Sequence, residues 1–165
     1  MALKGDRHEF ETTTDFFLNE VAERGGICTI STAGSGAALD QSAALVTYAA
    51  AESGLVPVGV LLNDMVNIDQ TRQHINWHKD EIQKGGKVTL LTQGWVVTSN
   101  IEGTAPTAGA GAYLAHSGNL ASSSIADDVG HGGHQMIGRF LSGADEDGYY
   151  KVSVNLPNAY TNNNA

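Results

Sequence analysis

Cationic side chains are scarce in this chain: nine Lys plus Arg stand against eighteen Asp plus Glu, a net charge of −9. That shortage excludes the basic stripe needed to hold nucleic acid or an anionic bilayer surface, so neither is expected as a partner. Cysteine is nearly missing. Cys28 stands alone, which excludes an intrachain disulfide and a zinc cluster of several thiolates. Long apolar runs are missing too: no window approaches 18 consecutive apolar residues, so no helical membrane span is expected. The opening MALKGDRHEF has no apolar stretch of the signal-peptide kind. These absences predict a protein made and assembled in a cytoplasm.

The sequence also lacks catalytic motifs. No G-x-S-x-G occurs, and Cys28 and Ser122-Ser123-Ser124 have no neighbouring group that would activate them. In AGSGAALD the dinucleotide pattern would need a third glycine where Leu39 stands, and no P-loop lysine follows. Two histidine segments invite a metal reading. In TRQHINWHKDEIQKGG, His74 and His78 have helical ligand spacing, but the zincin pattern puts Glu where this chain has Ile75. As a strand, the same text places His74, Asn76 and His78 on one face and Ile75 and Trp77 on the other. In DDVGHGGH, Asp127 to His134, the ligand types lie in Ser- and Gly-rich text that reads as a loop. No catalytic residue, metal or cofactor is expected. The rival reading is a metal-dependent hydrolase using His74, His78, His131 and His134.

What is present is glycine, 20 residues of it, and text that alternates. The composition suits a β-rich, loop-rich fold. VPVGVLL reads as a strand. GGKVTLLTQGWVVTSN reads as turn, strand, glycine, strand, with Val88, Thr89, Val96 and Val97 favouring a pleat. A short strand is expected around Ala112–Ala115. Ile137–Leu141 and Tyr150–Leu156 flank SGADEDG, the strongest hairpin signal. Val152, Val154 and Leu156 alternate with Lys151, Ser153 and Asn155, which predicts one buried and one wet face. The first part is less regular. Asp15 is placed to cap a short helix, FFLNEVAER, ended by Gly25-Gly26, and an extended arm is an equal reading. The expected organisation is an N-terminal arm and small-residue-rich segment over 1–53, a β-rich domain over 54–157 and a flexible tail over 158–165. The fold class is mainly β, a small antiparallel barrel with an extended arm.

VPVGVLLND, GGKVTLLTQGWVVT and IGRFLSGADEDGYYKVSVNL, in that order, resemble the head decoration (cement) proteins of tailed bacteriophages, of the lambda type. The resemblance spans about Leu55 to Leu156. TRQHINWHKDEIQ departs from it as an insertion, and the first fifty residues match only in forming an arm. The resemblance implies a β-tulip-like barrel and a homotrimer. It also implies a non-catalytic protein on the outer capsid surface of the virion, clamping neighbouring capsomers of the major capsid protein. The arm's Phe10, Phe16, Phe17 and Leu18, which lack the length of chain to form their own core, are then expected at the capsid or subunit interface. Trp77, flanked by His74 and His78, is a second expected anchor. On this view the arm supplies binding and the later strands supply the fold. Another phage structural role, in a tail tube, head completion or fibre, is the alternative.

Overall fold

The computed structural model describes residues 2–32, 44–48, 50, 55–64, 68–69, 74–75, 81–122 and 135–156. The fold is mainly β, and no α-helix occurs among the described residues. The strands are β1 (His8–Leu18), β2 (Ala22–Glu23), β3 (Ile27–Thr32), β4 (Leu45–Thr47), β5 (Pro57–Asp64), β6 (Ile68–Asp69) and β7 (His74–Ile75). They continue with β8 (Glu81–Ile82), β9 (Lys87–Thr98), β10 (Gly111–Leu114), β11 (Leu120–Ala121), β12 (Met136–Phe140) and β13 (Tyr150–Asn155). A three-residue 3-10 turn, His116–Gly118, precedes β11.

Nine strands form one sheet in the order β1-β4-β3-β5-β9-β13-β12-β10-β11, and β1 also pairs with β9. The sheet as a whole is not the closed antiparallel barrel expected from sequence. Its first five strands return on themselves through the β9–β1 pairing. The last four, β13-β12-β10-β11, leave β9 as an open wing. The β1–β4 pairing is parallel, so the sheet is mixed.

The long strand β9 makes this possible. Along one edge it meets β1 from Lys87 to Trp95. Along the other it meets β5 from Val88 to Leu91, then β13 from Gln93 to Thr98. Sequence predicted two strands broken at glycine, but β9 runs unbroken through Gly94. The reason is steric. Gly94 has φ +145°, and a Cβ there would lie 2.0 Å from the His8 carbonyl oxygen. Glycine lets β1 cross β9 closely without ending the strand.

Two cores follow from the two faces. One lies inside the five-strand circuit and takes Leu18, Cys28, Val46, Leu61, Val88 and Leu90 from its walls. The other lies between the opposite face of β3 and β5 (Ile27, Val60, Leu62) and the wing. From the second half of β9 comes Val96, and from the wing come Ala112, Leu114, Ile137, Phe140, Val152 and Val154. Neighbours in sequence, Leu61 and Leu62, Leu90 and Leu91, therefore belong to different cores. Each large side chain withdrawn from water contributes about 1.5–3 kcal/mol.

The N-terminal residues do not stand apart as an arm. Leu3 bridges to Thr98 and is 2% exposed, and Leu18 is fully buried. Ser99 N donates to the Ala2 carbonyl. The expected helix FFLNEVAER is also absent: Phe16 to Leu18 close β1. Thr12, Thr13, Thr14, Phe16 and Phe17 favour a pleat, and β9 and β4 offer hydrogen bonds that an isolated two-turn helix lacks. The β12–β13 hairpin forms as read, in register Gly138↔Val154 to Phe140↔Val152. Asp145 Oδ1 shapes its turn by accepting from Asp147 N and Tyr149 N, with Gly148 at φ +80°.

Candidate docking surface

The residues expected at an interface fall in different environments. Phe10 is 76% exposed, more than any other large hydrophobic side chain among the described residues. It is the extra residue of a bulge, since Glu9 pairs with Gly94 and Glu11 with Gln93. Phe16 and Phe17 are half-buried, and Phe16 packs on the core inside the circuit. Leu18 belongs to that core and is closed to a surface partner. His74 begins β7, which pairs with β6. Trp77 and His78 lie outside the described residues, as do His131, His134 and the segment Gly34–Asp40.

The described residues contain no group of three or more His, Cys, Asp or Glu able to hold a metal ion. Cys28 is fully buried. Burial first, and the nearby Glu20 carboxylate second, push its thiol far above the ordinary range, so it is no nucleophile. Ser122 Oγ donates to the Thr104 carbonyl. No helix of the described residues is long and apolar enough to cross a membrane.

Two features of the surface stand out among the described residues. The first is the margin of β1. Before Phe17, the edge of β1 turned away from β9 has no strand beside it among the described residues. Bulges after Glu9, Glu11 and Thr13 interrupt its pleat. This combination guards an edge against indiscriminate pairing.

The second is the outer face of the wing, opposite the core it covers. Trp95 stands there, half-buried, opposite His8 on β1 and Ser153 on β13. The His8 ring stacks on the indole with centroids 6.3 Å apart and planes at 23°. Lys151, diagonal to Trp95 on β13, holds Nζ 3.4 Å from the indole centroid. Asp6 Oδ2 lies 3.9 Å from this Nζ. The ammonium and the imidazole thus fix the indole in place, a cation–π contact worth about 0.5–1 kcal/mol at a surface. Sequence reading missed Trp95, Lys151 and His8 as a unit. The alternation of β13 put Lys151 on the wet face, but β1 and Trp95 lie far away along the chain.

Comparison with known proteins gives one family. The phage cement family described as Structural cement protein (E217 gp24/Pam3 gp6) matches residues 4–155. No curated protein matches the chain.

Proposed function

The chain belongs to the phage structural cement protein family, and from that premise we propose that it binds the outer surface of the capsid and clamps neighbouring capsomers. The family match carries this reading, because it spans almost all of the described fold and is to a structural protein. The partner is the major capsid protein, and the protein also associates with itself as a homotrimer. It has no catalytic task. The net charge of −9 supports a place outside the shell, away from packaged DNA. The exposed Phe10 and the edge of β1 before Phe17, beside which no strand lies among the described residues, support contact with another chain at the N-terminal margin.

The test is cosedimentation of the purified protein with undecorated heads, followed by electron microscopy of the pelleted particles. The expected result is regular added density on the outside, bridging capsomers, and heads that resist heat or chelation better. Failure to bind, or density confined to the tail vertex, overturns the reading in favour of a tail or head-completion part.

A further inference from the structure

We propose that the outer face of the wing, centred on Trp95, is the surface that meets the shell, and that its counterpart is a carboxylate-bearing segment of shell protein. This rests on the cement reading and goes beyond it by assigning the face and the partner's chemistry.

The first observation is how charge is partitioned. The chain carries eighteen Asp plus Glu, yet β9, β10, β12 and β13 hold not one of them. Their outer face instead presents Arg139 and Lys151. Arg139 is exposed and makes no ion pair among the described residues. Over these four strands an otherwise acidic protein thus presents cations and no carboxylate. Among the described residues, carboxylates border this face: Glu11 on β1, in register with Gln93 and Asn155, Asp6 beside Lys151, and Asp145 and Asp147 at the hairpin tip, where both bind Lys4.

The second observation is composition and alignment. Strand register sets Gly111, Arg139, Ser153, Trp95 and His8 in one row across five strands. Tyr113 lies in the same face, its ring folded over Gly111, where an added Cβ would meet the ring at 2.8 Å. Met136, 42% exposed, closes the end of β12 nearest Tyr113. Trp, Tyr, Arg and Met are the residues that dominate the centres of protein interfaces. Here Trp95 is held rigid before any partner arrives, so little of its contact energy is spent on ordering it.

A carboxylate fits this face better than a phosphate chain does. Arg139, exposed and without an ion pair among the described residues, is a bidentate donor suited to one carboxylate. A nucleic acid would need many more cations than Arg139 and Lys151, and it would meet Asp6 and the acidic tip at the rim.

The full-length protein tests this against undecorated heads, with variants Trp95→Ala and Arg139→Glu/Lys151→Glu. Each variant is first checked by thermal melting, and Arg139→Glu alone serves if another fails to fold. The expected result is at least a thirtyfold loss of head affinity for Trp95→Ala, about the size of a central anchor. The charge reversal should weaken binding and flatten its salt dependence. Wild-type binding with both variants within about threefold places the contact elsewhere and overturns the proposal. A variant that changes the sedimenting mass of the free protein reassigns the face to self-contact, which also overturns it. So does wild-type binding to duplex DNA that the charge reversal abolishes. If the wild type itself does not bind heads, the cement reading fails instead.

Discussion

Gly138 shows how closely single residues determine this sheet. It pairs with Val154, and a Cβ at this position would lie 1.9 Å from the Ser153 carbonyl oxygen. Backbone cannot yield as a flexible side chain does. Gly138→Ala is expected to lower stability by about 1–3 kcal/mol or more, read from the urea midpoint. Cys28 gives a pH signature. Its folded-state thiol stays protonated well above the ordinary value of 9.0, while the unfolded thiol ionises there. The unfolded chain then binds fewer protons than the native one, so stability falls as pH rises. The stabilisation is complete below about pH 9 and declines above it by about 1.4 kcal/mol per pH unit. Half-buried Tyr48 is shifted in the same direction, chiefly by desolvation. Cys28→Ala should flatten the decline between pH 9 and 10 in urea titrations at stepped pH and lessen the steeper loss above pH 10, to which Tyr48 also contributes. An unchanged slope would mean that the thiol reaches water.

At the scale of elements, β1 decides whether the N-terminus is an attachment or part of the body. It supplies one wall of the five-strand circuit and, through Leu18, part of the core inside it. Before it, Leu3 seals the other core. Tyr48 ties the neighbouring turn down: its hydroxyl accepts from Gly26 N and donates to the Glu23 carbonyl. Glu20 accepts from Tyr48 N and Thr47 Oγ1, joining β4 to the end of β1. Deleting residues 2–18 is therefore expected to abolish the cooperative melt followed by circular dichroism, rather than leave a folded domain. A truncated chain that still melts cooperatively near the parent temperature would restore the arm reading.

At the scale of the molecule, a five-strand circuit and a wing make a body with one face whose four strands β9, β10, β12 and β13 lack carboxylates and, among the described residues, one partly unpaired edge. Two such distinct surfaces suit a protein that joins several neighbours at once. Self-association as a trimer should give a sedimenting mass near three times the 17.3 kDa of the chain. A mass of one chain at all concentrations up to the solubility limit would leave only trimerisation on the shell, visible as threefold density on decorated heads.

Much of the fold could be read from local pattern. The hairpin of β12 and β13 was legible because its alternation and its Asp/Gly turn are both local, and each enforces the same register. β5 and β10 were legible for similar reasons. The family likeness was carried by the segments of β5, β9, β12 and β13. β1 was not legible, because Thr12 to Leu18 fits a strand only when β9, some seventy residues later, offers its edge. Phe10, Phe16 and Phe17 looked alike in sequence, yet bulges turn one to solvent and leave two half-buried. Trp95 gave no signal as a site, since an aromatic in a strand is usually core. The sequence by itself determined the β class, the acidity and the buried face of each later strand, because these depend on composition and a period of two. Only the tertiary structure decided that β9 serves both a circuit and a wing, and that Trp95, Lys151 and His8 meet. Those outcomes depend on which distant edges pair, and hydrogen bonds between strands carry no trace in the sequence of any one of them.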